Sequence, residues 1–445
     1  MTAPGDQPKV LDSTAILLEH RLAVEQSRGR LPSVVAGVVR DGRLVWTGTR
    51  GSRPRRNAEE RPDAGTQYRI GSITKTMTAV LVLQLRDEGR LDLADPLSAH
   101  LPDAPYGERS IRSLLAHSGG VAAEPPGPWW ERSPGRSWDQ LAGELSGQAG
   151  VLPPGRQYHY SNVSYALLGQ LVAHLRQHPW RQVVEERLLQ PCGMARTSYD
   201  PQEGAADGFS VHPYAETLTD EPAHDTAAMA PAGQLWSTVP DLATWVAFLA
   251  EPAPALLAHD TLEEMCIPAS ADPAAEGGDS YGLGLRLVRG ASRSLRGHTG
   301  SMPGFLAGAF IDPQRKVGAV ALANATRGLD GLQLAADLVA LVVEREPSPP
   351  AQWLPNAGAG EHAELLGPWY WGNTPFALSL RAGVLVLDSP SSDRPTRFER
   401  CDDGSYRGCD GYFTGETLQV LRGPDGDVEQ LDVATFVLTR TPYGG

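Results

Sequence analysis

Ser72 and Lys75 stand three residues apart in Gly71-Ser72-Ile73-Thr74-Lys75, at the head of the apolar run Met77 to Leu85. A helix starting here places both side chains over the same face. A serine hydroxyl is a weak nucleophile until a base beside it removes its proton, and a lysine amine serves once its pKa has fallen. A helix N-terminus disfavours an ammonium and pushes it in that direction. Only Lys9, Lys75 and Lys316 among the 39 basic residues are lysines. The others are arginines, which do not give up a proton in proteins. The run ends at Glu88-Gly89, with Gly89 placed to close the helix. Taken alone, the pair reads equally well as an N-capping serine beside a solvated lysine.

Two further clusters carry polar chemistry. Tyr160-Ser161-Asn162 follows Pro153-Pro154-Gly155 and precedes the apolar run Tyr165 to Leu175. A tyrosine there could act as a phenolate-type base or a proton relay, and an asparagine could hold a substrate amide or the lysine ammonium. His298-Thr299-Gly300-Ser301 offers an imidazole, a hydroxyl and close backbone approach on a strand edge, and the amides of Ser301 and Ser72 could form an oxyanion hole. Taken singly, Tyr packing, Asn capping and a structural strand histidine explain these residues as well. Gly278-Asp279-Ser280-Tyr281-Gly282 matches the Gly-x-Ser-x-Gly elbow, but it lacks the strand before and the helix after that the elbow needs. His174 and His178 are four apart with no third metal ligand in view, so no metal is expected. Trp129-Trp130 fits loop packing better than a pocket wall. No phosphate loop or dinucleotide fingerprint is present, and no cofactor is expected.

These residues need a frame to hold them. Residues 12–28 have the pattern of an amphipathic helix. Val34 to Val39 and Leu44 to Thr49 flank Asp41-Gly42, a strong hairpin signal. Strand patterns return at Tyr281 to Val288, Ala307 to Ile311 and Val317 to Ala323, followed by a helix over Leu332 to Val343. The economical fold is α/β (α+β): one antiparallel sheet built from both chain ends, flanked by helices, with a mostly helical region inserted. Residues 347–364 have linker composition, with Pro347-Ser348-Pro349-Pro350 and Asn356-Ala357-Gly358-Ala359-Gly360. Beyond them lie short alternating runs, Ala377 to Leu387, Thr396 to Glu399, Tyr406 to Phe413, Thr417 to Leu421 and Val428 to Leu438. They predict a small β-barrel or curled sheet over 365–445, after a first domain over 1–346.

Composition narrows the partners. Of the 445 residues, 41% are apolar and 21% charged, ordinary for a globular chain. The net charge of −14 argues against nucleic acid or an anionic membrane and leaves a small molecule or peptide as the expected partner. Met1 to Lys9 has no basic segment followed by an apolar one, which sets the expectation of a cytoplasmic protein. Cys192, Cys266, Cys401 and Cys409 are too scattered for a disulfide framework, although Cys401 and Cys409 could meet across a hairpin.

In the order Ser72-x-x-Lys75, Tyr160-x-Asn162, His298-Thr299-Gly300, the chain resembles the penicillin-recognising serine hydrolases: class C β-lactamases, DD-peptidases and related esterases. The likeness covers about residues 12–345 and includes Tyr68-Arg69-Ile70-Gly71, Leu91 to Leu97, Ile111 to Gly120, Pro191-Cys192-Gly193-Met194 and Ala232 to Thr238. The tail, through Leu366 to Asn373, resembles the lipocalin-like domain that many such hydrolases carry. The resemblance implies that Ser72 is acylated, Lys75 activates it and Tyr160 is the acid/base partner. It also implies that Asn162 orients substrate and lysine. His298 stands where the lactamases have lysine, so a fixed cation for the substrate carboxylate becomes an imidazole, which points away from a β-lactamase and towards esterase-like or peptidase-like relatives. Small esters and amide or D-peptide bonds are the implied substrates. Acyl transfer by a peptide-cyclising thioesterase of the penicillin-binding type is one alternative, and a non-catalytic binding or sensor protein is another.

Overall fold

Val34 to Val39 and Val317 to Ala323 hold no charged side chain, and strands of this kind survive only where both faces of a sheet are covered. The computed structural model describes residues 9–52, 61–271, 279–289, 294–350, 352–355, 360, 362–389 and 395–443, and it shows this covering. The strands are β1 (Ser33–Arg40), β2 (Arg43–Gly51), β3 (Ser270–Ala271), β4 (Ser280–Tyr281), β5 (Arg286–Arg289), β6 (Ser294–Met302), β7 (Phe305–Asp312) and β8 (Val317–Ala323). Their spatial order is β2-β1-β8-β7-β6-β5-β4-β3, so β1 from the start of the chain pairs with β8 near the end of this unit.

Helices α1 (Asp12–Gly29) and α5 (Gly331–Arg345) cover one face, and α2 (Thr74–Asp87), α3 (Asn162–Arg176) and α4 (Val239–Ala250) belong to the other. The period of two along β1 sorts its residues accordingly. Val34, Ala36 and Val38 join the core of α1 and α5, while Val35 and Val39 join the core of α2 to α4. At the β1–β2 turn, Asp41 and Gly42 both have positive φ, 49° and 74°, the geometry an Asp-Gly hairpin demands.

The run Tyr281 to Val288, expected as one strand, is broken. Gly282 to Leu285 forms a turn, and β4 and β5 pair with each other. Gly284 sits at φ 87°, where a Cβ would lie 2.2 Å from that of Ala79. The break lets the chain pass against α2. It also leaves β5 paired with β6 only over Ser294 to Gly297, so among the described residues His298 to Met302 have no strand neighbour on that side.

The chain divides into two compact units, Met1–Ser348 and Pro349–Gly445. The second is a closed barrel of eight antiparallel strands around Trp369, Phe398, Leu418 and Leu431. Ala377 to Leu387 and Val428 to Leu438 are each a hairpin rather than one strand, turning at Ala382-Gly383 and Ala434-Thr435, all four residues at positive φ. Arg440 lies over the Trp369 ring, 3.9 Å from its centroid. Cys401 and Cys409 are free thiols. Gly278 of the Gly-x-Ser-x-Gly match and Asn356 to Ala359 of the expected linker lie outside the described residues.

Candidate active site

Ser72 lies in a single 3-10 turn, Gly71–Ile73, that leads into α2. Gly71 has φ 52°, and a Cβ on it would come within 2.5 Å of the Ser301 nitrogen. One on Gly300 would come within 1.9 Å of the Ile70 carbonyl oxygen. Turn and strand therefore meet backbone to backbone, which only glycine permits, and the Ser72 and Ser301 amides both border that contact.

α2 is buried on nearly all sides, so its polar groups must find partners inside the protein. Thr78 donates to the Pro231 carbonyl (2.9 Å), and Thr76 accepts from the Trp245 indole (2.8 Å). Lys75 Nζ lies 2.7 Å from the Ala232 carbonyl and 2.9 Å from Ser72 Oγ. The amine is wholly buried, and burial pushes its pKa down to about 7, against the opposing pull of Glu124 and Glu131. When charged, Lys75 donates to Ser72; when neutral, it has a lone pair with which to accept the Ser72 proton. A large neutral fraction at physiological pH is what an activating base requires.

Tyr160 lines the same cavity as Ser72, near enough for the Ser72 hydroxyl to act on its phenol, and Lys75 Nζ lies 5.0 Å from the centre of its ring. Burial holds the phenol well above its ordinary pKa. A neutral hydroxyl suits a proton relay better than the phenolate-type base weighed from the sequence. Asn162 is close by, at the first turn of α3, but Ser161 is the residue that caps this helix, accepting from the Ser164 amide at 3.0 Å. The Asn162 side-chain N–H donates to Glu124 (2.7 Å), and Lys75 donates to Ser72 and Ala232 rather than to the Asn162 oxygen. The lysine already has its partners in Ser72 and Ala232.

His298 also departs from expectation. It is 3% exposed, with Nδ1 2.5 Å from the Thr299 carbonyl and Nε2 3.0 Å from the Tyr281 hydroxyl. A carbonyl only accepts, so Nδ1 carries the proton and Nε2 accepts from Tyr281. Burial pushes the imidazole down to about 3, so it stays neutral near pH 7. The cation on this side is Arg286 of β5, whose Nη1 donates to Thr299 Oγ1 at 3.2 Å and whose Nη2 lies 3.5 Å from Asp279. A cavity of 560 Å³ opens here, lined among others by Ser72, Tyr160, Arg286, Thr299 and Ser301, and it continues past Leu306 to Leu329.

Ser72, Tyr160, His298, Thr299, Gly300 and Ser301 thus line one cavity, with Lys75 buried against Ser72 and Asn162 bonded to Glu124. Sequence reasoning missed Arg286 and Glu124. Arg286 had a weak signal as the one charge inside an otherwise apolar Leu283 to Val288 run. Glu124 had none, because it lies in a Pro-rich loop, where its other oxygen accepts from the Trp130 indole at 2.6 Å. Its charge raises the Lys75 pKa. Glu124→Gln keeps an acceptor for Asn162 and removes that charge. The acid limb of Ser72 reactivity is therefore expected to move to lower pH, measured as the rate of covalent labelling between pH 5 and pH 9.

Residues 17–344 match the β-lactamase family. The chain belongs to that family. Residues 359–440 match a domain of unknown function, DUF7586. Among curated relatives, the D-alanyl-D-alanine-carboxypeptidase/endopeptidase AmpH of Escherichia coli K12 is 32% identical over 225 residues, 48% of this chain and 56% of AmpH. The chain spans about half the length of such curated relatives. A D-stereospecific amidohydrolase from Streptomyces sp. superposes with a TM-score of 0.62 at 25% identity, over 75% of this chain and 99% of that one. The octameric penicillin-binding protein homologue of Pyrococcus abyssi gives 0.67 at 21% identity, over 97% and 100%, and so shares the fold across both units. In the first unit Ser72 lies between the buried helix α2 and the open edge of β6. Among the described residues no helix is long and apolar enough to cross a membrane, and no group of three or more His, Cys, Asp or Glu could hold a metal ion.

Proposed function

We propose that this chain is a serine hydrolase that forms an acyl-enzyme on Ser72 from amides, peptides or esters with a D-configured acyl centre. The observation that carries this reading is the wholly buried Lys75 amine, 2.9 Å from Ser72 Oγ and poised near neutral pKa. Neutral Lys75 takes the Ser72 proton as Oγ attacks the carbonyl carbon, and the Ser72 and Ser301 amides face the developing oxyanion. The Tyr160 hydroxyl passes a proton to the leaving nitrogen as the C–N bond breaks and is replenished from Lys75. Water then attacks the ester by the reverse relay, regenerating Ser72.

Arg286 and Thr299 would hold a carboxylate on the leaving group, the role the sequence had left to His298. An arginine fork is matched to a carboxylate and does not titrate. The wall of Leu306 and Leu329 beyond them suits an apolar leaving side chain. The names of two relatives agree in kind, one a D-alanyl-D-alanine carboxypeptidase and the other a D-stereospecific amidohydrolase.

The test labels the protein with a fluorophosphonate and a fluorescent penicillin and locates the adduct by peptide mass spectrometry, then compares D,D- with L,L-dipeptides, free and C-terminally amidated. Labelling on Ser72 and preference for D,D-substrates with a free carboxylate are expected. No labelling by either probe would favour a non-catalytic binding protein. A cyclic product from a peptidyl thioester, in excess over the hydrolysed acid, would assign acyl transfer in place of hydrolysis.

A further inference from the structure

His117 is a buried histidine that the proton transfers above do not use, and its backbone is held at φ 54°, a left-handed conformation uncommon outside glycine. Such strain persists only where surrounding contacts impose it. The His117 amide donates to the Leu114 carbonyl at 3.4 Å, and three further contacts lead to Tyr160 and its neighbours. The His117 carbonyl accepts from the His159 amide at 2.7 Å, and its Nδ1 accepts from the Ser161 amide at 3.1 Å. The imidazole ring lies against the Tyr160 ring itself, with centroids 4.2 Å apart. One residue thus grips the chain immediately before Tyr160, immediately after it, and the side chain between.

The tautomer follows from these bonds. Nδ1 accepts from an amide, so Nε2 carries the ring proton, and that buried N–H has no hydrogen-bond partner among the described residues. Burial, helped by Lys75, holds the ring neutral. Tyr165, Tyr281 and Tyr158 also pack around it, at 5.2, 4.7 and 6.0 Å between centroids. A strained backbone and an unpartnered donor both disfavour histidine here on stability grounds alone.

We propose that His117 is a positioning residue for Tyr160, setting the hydroxyl on Ser72 by fixing residues 159 to 161. This rests on the acyl-enzyme reading above. The test is a double-mutant cycle read as the second-order rate of fluorophosphonate labelling of Ser72. Tyr160→Phe alone is expected to slow labelling by about 100-fold, the size of a lost proton-transfer partner. His117→Gly accepts the positive φ but loses the ring and the Nδ1 acceptor, and it is expected to slow labelling by about 30-fold or more. In the His117→Gly background, adding Tyr160→Phe is expected to cost less than about threefold, because residues acting as one unit are not additive. His117→Asn, which tolerates this φ and offers an oxygen to the Ser161 amide, is expected to lie between wild type and His117→Gly.

Circular dichroism and thermal melts establish that each variant is folded. Should His117→Gly not fold, the same cycle is run on His117→Asn. The proposal is overturned if Tyr160→Phe costs the same factor with and without His117, as a merely structural role requires. It is equally overturned if the His117 variants label at the wild-type rate. A wild-type protein that neither probe labels overturns the acyl-enzyme reading together with this one, whereas labelling with an additive cycle overturns only the role of His117.

Discussion

Lys75→Met is expected to slow acylation of Ser72 by about 10⁴-fold and, in the same molecule, to make the fold more stable at pH 6. The loss follows from the geometry: methionine fills the volume but brings no lone pair or proton to Ser72 Oγ, where Lys75 stands at 2.9 Å. The gain follows from burial. The Lys75 amine is completely enclosed, and its pKa has dropped from 10.5 to about 7 because the interior disfavours the ammonium. At pH 6 the folded and unfolded chains both hold the proton, so the fold bears the full cost of a buried charge. Between about 7 and 10.5 the unfolded chain holds the proton and the folded chain does not, so wild-type stability climbs with pH across that window. The methionine variant has no such climb. Its advantage should therefore be confined to low pH, on the order of 1–2 kcal/mol at pH 6 after allowing for the unpaired Ala232 carbonyl, and should reverse near pH 10, where the wild type has gained about 4 kcal/mol. Denaturant melts at the two pH values measure this. An advantage that grew with pH would show that Lys75 is not the buried charge that strains the fold. Wild-type acylation should rise with pH through about 7, as the amine becomes neutral.

That a lysine could be singled out from sequence reflects how local its information is. Ser72 and Lys75 share one helix face by spacing alone, and their chemistry needs only that face to be buried, which the apolar run after them announces. The Asp41-Gly42 hairpin, the two-sided sheet and the barrel were legible for the same reason, since period and turn chemistry are properties of neighbouring residues. What was not legible depends on contacts distant in sequence. Arg286 reads as an ordinary strand residue until the break at Gly282 to Leu285 turns β5 towards Thr299. Asn162 reads as a lysine partner until Glu124, from a loop with no pattern of its own, accepts its amide. His117 looked like one more residue of a matching stretch. Its function is visible only once its backbone is seen to be left-handed and its two hydrogen bonds are seen to bracket Tyr160.

Ser72→Ala is expected to remove covalent labelling altogether and to lower turnover by at least about 10⁴-fold, with Ser280→Ala close to wild type. The pair of variants matters because both serines line the same cavity, and Ser280 stands in the Gly-x-Ser-x-Gly match. Structure separates them. Ser280 lies in the two-residue strand β4, paired with Ala271 on one side and Leu287 on the other, with no helix following to expose its hydroxyl. Its Oγ is buried without a hydrogen-bond partner among the described residues, so no base stands ready to take its proton. Ser72, by contrast, has the Lys75 amine on its oxygen at 2.9 Å and Tyr160 beside it in the cavity wall. Removing the hydroxyl of Ser72 leaves the Ser72 and Ser301 amides, Thr299 and Arg286 in place. Ser72→Ala should therefore still bind substrate while failing to cleave it, with a dissociation constant by calorimetry within about threefold of the wild-type KM for a slow substrate. Labelling that persisted in Ser72→Ala and vanished in Ser280→Ala would transfer the nucleophile to β4 and end the Lys75 mechanism. The opposite result would leave one serine, one amine and one phenol as the reacting set, and would make the inactive variant a trap for the natural substrate.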